Sequence, residues 1–221
     1  MKAGRDTLAF LQSELEAIYG VTAPRVHDFL LGRDGARAAG RTPRAPEELL
    51  VLEDGEGLAL GLYLDDAVIA AARHADPHDR RPRLTSRGAM APVSYAAEGV
   101  SHFVYLATRA ARGHRVSLLE LEAQAEIDKF VLLVLHLWRR GLRRLSPALR
   151  RRLYERVRFR AHLGGEELER YREANRLGAR YARWLEGRYV SEADIDGLLR
   201  ELRATYRLGG GEKLAYLGSR T

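Results

Sequence analysis

Carboxylates and a histidine recur at helical spacing near the middle of this chain. Glu98 and His102 stand at i and i+4 in YAAEGVSHFVYLA, and so do Glu122 and Glu126 in SLLELEAQAEIDKFVLLVL. Such spacing puts each pair on one helix face. Oxygen and imidazole groups projecting inward from neighbouring helices are how helical bundles hold divalent metal ions, di-iron centres included. The usual signature there is Glu-x-x-His from each of two helices. This chain offers one Glu-x-x-x-His and no second pair, with Glu166, Glu169 and Glu173 as further oxygen donors at most.

The same residues compose a structural network equally well. An antiparallel helical hairpin turning at Gly113 would set His102 level with Glu126 or Ile127, and Lys129 within a turn of Glu98. Lys129 would then pair with Glu98 while His102 hydrogen-bonds Glu126 or Ser101, which satisfies buried polar groups and fixes helix register without a metal. The network is the preferred expectation, with no cofactor. A metal-dependent helical-bundle enzyme using Glu98, His102, Glu122 and Glu126 with a divalent metal ion is the alternative.

A second feature is electrostatic. Between positions 139 and 160 the chain places ten arginines, Arg139, Arg140, Arg143, Arg144, Arg150, Arg151, Arg152, Arg156, Arg158 and Arg160, against one acid, Glu155. That window carries +9 where the whole protein carries +7, so the remainder is net −2. A concentrated field of one sign attracts polyanions or acidic surfaces in a way that scattered charge does not. Arginine's planar fork also suits bidentate contact with phosphate or carboxylate. Against this, SPALRRRLYERVRFRAHL reads as an ordinary amphipathic helix with an inward stripe of Leu149, Leu153, Val157 and Ala161, its arginines forming the solvated face.

Aromatic residues interleave with the arginines: Trp138, Tyr154 and Phe159 in the basic block, then Tyr171, Tyr181, Trp184 and Tyr189 near Arg172, Arg180, Arg183 and Arg188. Stacking platforms in a basic groove are the chemistry of single-strand binding. Tyr171, Tyr181 and Trp184, however, are also spaced as the inner face of a helix. No helix-turn-helix, zinc-finger or RNA-binding-domain signature accompanies them, so a sequence-specific reader is not expected.

Absent motifs exclude more firmly. The chain has no phosphate-binding loop ending in Gly-Lys, no Gly-x-Gly-x-x-Gly, no Gly-x-Ser-x-Gly and no His-Glu-x-x-His, which argues against an ATPase, a dinucleotide enzyme, a serine hydrolase or a zincin. The group His74, Asp76, His78 and Asp79 has a metal-binding composition but sits around Pro77, which keeps the histidines off one helix turn. With no cysteine, disulfides and thiolate sites are also excluded, and a reducing compartment is the simplest setting. The first residues lack a basic stretch followed by a continuous apolar one, and the longest apolar run, Phe130 to Trp138, is far short of the roughly 20 residues of a membrane span. A cytoplasmic protein is expected.

The elements that must position these groups follow from caps and periodicity. Asp6 can cap a helix through Ile18 carrying a Leu8, Leu11, Leu15, Ile18 stripe. Leu49 to Leu52 and Leu58 to Leu64, joined by Glu53-Asp54-Gly55-Glu56-Gly57, predict a β-hairpin at about 49–64. A loop is expected from Gly32 to Pro46, a helix from Asp65 to Ala75, and a boundary where proline and charge dominate. Beyond it Pro92, Ser117, Ser146-Pro147, Gly164-Gly165 and Ser191 with Asp194 open successive helices.

The sequence therefore predicts an α+β, mainly α protein: an N-terminal α+β portion (1–76), a linker (77–90), a bundle of about five helices (91–208) and a flexible C-terminus (209–221). The function it suggests is a binding or regulatory module whose arginine-rich face (139–160) engages an acidic partner, either nucleic acid or an acidic protein surface. No reaction is named, and a homo-oligomer is compatible with the sequence.

Overall fold

The computed structural model describes residues 7–40, 43, 45–54, 57–74, 87–157 and 164–220. The fold is α+β and mainly α: among these residues there are nine α-helices and one three-stranded sheet. None of the described helices is long and apolar enough to cross a membrane. The chain forms two compact units, one of residues 1–16 and 21–110, the other of 17–20 and 111–221, so that helix α1 (Thr7–Tyr19) contributes to both. The predicted boundary at 77–90 lies mostly outside the described residues.

In the first unit α1 buries Leu8, Leu11 and Leu15. Gln12, on the same helix, donates to the Pro24 carbonyl at 2.8 Å and accepts from the Val26 amide at 2.9 Å. It thereby holds a 3-10 turn (Val26–Phe29) and the short strand β1 (Leu30–Leu31) that follows. The segment 32–46, expected to be a loop, contains helix α2 (Arg33–Ala38), whose Ala36 is buried against Leu50 and Tyr63. Six residues are too few to be stable alone, so this helix forms on the contact rather than on propensity.

The predicted hairpin is present as β2 (Glu47–Asp54) and β3 (Gly57–Leu64), in antiparallel register with Leu49 opposite Leu62 and Glu47 opposite Leu64. Strand β1 joins the other side of β3 in parallel, giving the order β1-β3-β2. Opposed residues share a face, so Glu47, Leu49, Leu62 and Leu64 all look the same way. After helix α3 (Asp66–His74), helix α4 (Arg87–Ala110) lies on that face. Gly99 permits the close approach: a Cβ there would stand 2.8 Å from Glu47 Cγ and 3.1 Å from both Leu62 Cδ1 and Leu64 Cδ2.

The described residues of the second unit form helices and the turns between them. Helix α5 (Leu118–Arg139) starts at Ser117, whose hydroxyl accepts from the Glu120 amide at 3.2 Å, as its predicted cap should. Helix α6 (Ser146–Tyr154) carries Pro147 in its first turn. Helix α7 (Gly165–Leu185) packs on α5, and at their contact a Cβ on Gly178 would come 2.7 Å from Glu126 Cβ. A π-helical turn (Glu186–Val190) leads to helix α8 (Ile195–Arg207), capped by Asp194 accepting from the Gly197 amide at 2.8 Å.

The C-terminus corrects the sequence expectation. Positions 209–221 were expected to be flexible, yet Gly210–Ser219 form helix α9. Long-range polar contacts account for it. The Gly210 amide donates to Glu120 Oε2 at 3.0 Å, satisfying one of the orphan donors at the helix start. Lys213, wholly buried, donates to Gln124 Oε1. The Gln124 amide in turn donates to Asp128 at 2.7 Å and to the Tyr19 hydroxyl at 3.1 Å, and Tyr19 donates to Asp128. The Tyr19 ring stacks on Tyr206 at 4.0 Å, and the Lys213 ammonium lies 5.4 Å from the Tyr206 centroid. A buried lysine and aspartate tolerate desolvation only with such partners.

Candidate functional site

The arginine-rich stretch occupies the end of α5, a 3-10 turn (Arg143–Leu145) and α6. Its helix is shorter than the periodicity predicts. Of the inward stripe, Leu149 is buried and Leu153 half-buried, but α6 stops at Tyr154, leaving Val157 exposed, and Ala161 lies outside the described residues. The stop has a cause in tertiary packing: the Tyr154 ring is buried and its hydroxyl donates to the Glu126 carbonyl on α5 at 2.8 Å, while Glu126 Cβ and the Tyr154 ring stand close to Gly178. Burial, then the nearby Glu126 carboxylate, pushes the Tyr154 phenol well above its usual pKa.

The arginines themselves divide. Arg150 is taken up by structure: its Nε donates to Glu186 Oε2 at 2.9 Å, and Nη1 lies 3.5 Å from Glu155 Oε1. The other oxygen of the buried Glu186 accepts from the buried Ser146 hydroxyl at 2.6 Å. This triad ties the start of α6 to the π-helical turn. Arg140, Arg143 and Arg152 are half-buried, whereas Arg139, Arg144, Arg151 and Arg156 are exposed. Arg158 and Arg160 lie outside the described residues. From 139 to 157 the formal charge is still strongly positive, with eight arginines against Glu155. Two large apolar residues sit among them at the surface, Leu145 at 43% and Val157 at 38% exposure.

The aromatic residues proposed for base stacking are less available. Tyr154 and Tyr181 are core residues, Trp138, Tyr171, Trp184 and Tyr189 keep partial exposure, and Phe159 lies outside the described residues. The Tyr181 hydroxyl is committed to Glu201 Oε1 at 2.9 Å and Thr205 Oγ1 at 2.8 Å.

The four carboxylate and imidazole candidates fall in different units. Glu98 and His102 are one turn apart on α4 in the first unit, His102 buried and Glu98 half-buried. His102 Nδ1 meets Glu47 Oε1 at 3.0 Å, both side chains 6% exposed. Glu47 was not among the partners that spacing suggested for this histidine. It comes from the hairpin, and the close seat of α4 at Gly99 brings the two together. A carboxylate on Nδ1 is the arrangement that fixes the tautomer of a metal-ligating histidine, and it equally satisfies a structural one.

Glu122 and Glu126 lie on α5 in the second unit, Glu122 buried and Glu126 half-buried. Lys129 Nζ donates to Glu126 Oε1 at 2.9 Å, an i,i+3 pair within α5. Of the loop histidine group, His74 ends α3 and Asp76, His78 and Asp79 lie outside the described residues. No protein-family model, curated protein or solved structure matches this chain.

Proposed function

We propose that this protein is a binding or regulatory module that engages an acidic protein surface through the arginines of the α5 terminus and α6. The observation that carries this is the combination, on one short stretch of the second unit, of exposed Arg139, Arg144, Arg151 and Arg156 with exposed Leu145 and Val157. Arginine is enriched at protein interfaces, and its charge steers an acidic partner while Leu145 and Val157 add area removed from water. The Ser146-Glu186-Arg150 triad and the Tyr154 hydrogen bond hold the stretch on α5 and the π-helical turn, so little ordering cost is left for the moment of binding.

Nucleic acid is the second reading. Phosphate contact needs only the charge, but stacking on bases needs aromatic faces at the surface, and Tyr154 and Tyr181 are buried. Fluorescence anisotropy with two labelled probes separates the partners: a peptide alternating glutamate and leucine, and a single-stranded oligonucleotide. Each is titrated across a salt series into wild type and into the Arg144→Gln, Arg151→Gln, Arg156→Gln triple variant. Peptide binding weakened in the variant supports the proposal. Oligonucleotide binding that falls steeply with salt and is weakened in the variant reassigns the face to phosphate. Absence of both at low salt removes the proposal.

A further inference from the structure

A cluster of aromatic rings in the second unit surrounds a cation. Trp184 lies near the end of α7, Tyr189 in the π-helical turn and Tyr216 on α9, with Tyr181 buried beneath them. Trp184 stacks on Tyr181 at 5.8 Å between centroids and meets Tyr189 edge-on at 5.5 Å and 85°. Tyr181 and Tyr216 meet edge-on at 6.5 Å. The wider π-helical turn shifts the register after α7, which is what re-aims Tyr189 toward Trp184, and such turns recur at functional sites. The backbone then reverses at Ala193, with φ of 58°.

The guanidinium of Arg220 lies against two of these rings, Tyr216 and Trp184. Its Cζ is 3.7 Å from the Tyr216 centroid, a stacking distance, and 4.8 Å from that of Trp184. Among the described residues Arg220 makes no ion pair, and its Nε is buried without an acceptor. A carboxylate stands behind the rings instead: Glu201 Oε1 accepts from the Tyr216 hydroxyl at 2.7 Å and from Tyr181 at 2.9 Å. Electron-rich faces backed by a negative charge are what attract an organic cation without a direct salt bridge. Trp184, Tyr189 and Tyr216 are half-buried, so each keeps some contact with solvent.

We infer that Trp184, Tyr189 and Tyr216 form a binding site for the guanidinium of an arginine presented by another polypeptide, with Arg220 as its intramolecular stand-in. The site lies apart in sequence from the α6 arginines and does not depend on their role. Arg220 is tethered one residue beyond α9, so it competes at an effective concentration on the order of millimolar, and a lone arginine side chain displaces it poorly. A partner segment with further contacts would displace it.

Trp184 emission reports occupancy once the only other tryptophan is replaced by Trp138→Phe. N-acetyl-arginine amide is titrated into this background, into the same background with Arg220→Ala, and with Arg220→Ala plus Tyr216→Ala; circular dichroism checks that each is folded. The expected result is a saturable emission change in the Arg220→Ala protein that is weaker with Arg220 present and lost without Tyr216. No saturable change in folded Arg220→Ala protein overturns the inference, as does an equal response without Tyr216. Saturation by tetramethylammonium but not by the arginine amide overturns the guanidinium assignment. If Arg220→Ala and Arg220→Gln both fail to fold, Arg220 is structural and the inference falls.

Discussion

The Tyr154 hydroxyl donates to the Glu126 backbone carbonyl at 2.8 Å, and this single bond fastens the last turn of α6 to the middle of α5. Tyr154→Phe keeps the ring and loses the bond. We expect a cost of about 1 kcal/mol in urea unfolding followed by tryptophan fluorescence, which reports the second unit because Trp138 and Trp184 both belong to it. An unchanged midpoint would show that α6 is held by apolar packing alone.

Gly178 sets the separation of α5 and α7. Its missing Cβ would stand 2.7 Å from Glu126 Cβ, an atom tied to the backbone and unable to swing aside. Gly178→Ala should therefore cost roughly 1–3 kcal/mol despite alanine's better helix propensity. A raised thermal midpoint would mean that the helices part at no cost.

Arginines that look alike in the sequence should differ sharply on substitution. Arg150→Gln leaves the buried Glu186 carboxylate without its charged partner, and about 2 kcal/mol of stability should go with it. Arg151→Gln, on the exposed side of the same helix, should stay within about 0.5 kcal/mol. Equal effects in chemical denaturation would remove the distinction between structural and partner-facing arginines.

Alkaline pH should weaken the second unit. Burial, reinforced by Asp128 for Tyr19, by Glu126 for Tyr154 and by Glu201 for Tyr181, keeps these phenols protonated well above their usual range. A group whose folded pKa is raised contributes stability that is complete below the unfolded value of about 10 and is lost as pH climbs above it. Thermal midpoints should be insensitive to these groups up to about pH 10 and then fall. A midpoint that holds well beyond that value would contradict the buried assignment of the three hydroxyls.

In the first unit, His102→Ala removes the imidazole partner of the buried Glu47 carboxylate and should cost about 3 kcal/mol by calorimetry, with His102→Gln recovering part of it. The purified protein should carry no stoichiometric metal. Metal present at one equivalent and lost on Glu98→Gln or His102→Gln would instead assign the pair to ligation.

What could be read from the sequence was local. Ser117, Pro147 and Asp194 mark helix starts through chemistry confined to one turn, and the glycine-containing sequence Glu53-Asp54-Gly55-Glu56-Gly57 between two apolar runs marks the hairpin. What could not be read depends on distant partners. Glycines 209–211 look like a flexible end until Glu120 and Gln124, some ninety residues away, anchor α9. Glu186 takes up Arg150 from 36 residues away, and His102 finds Glu47 from 55. The predicted helical stripe stops short of Val157 for the same reason, since Tyr154 is captured by α5 and α6 ends there.

The most direct measurement is calorimetric titration of the glutamate-leucine peptide into wild type and into the Arg144→Gln, Arg151→Gln, Arg156→Gln variant at low salt. If these arginines form the partner-facing surface, affinity should drop at least about tenfold while thermal stability is retained. Equal affinity in a stable variant would contradict it.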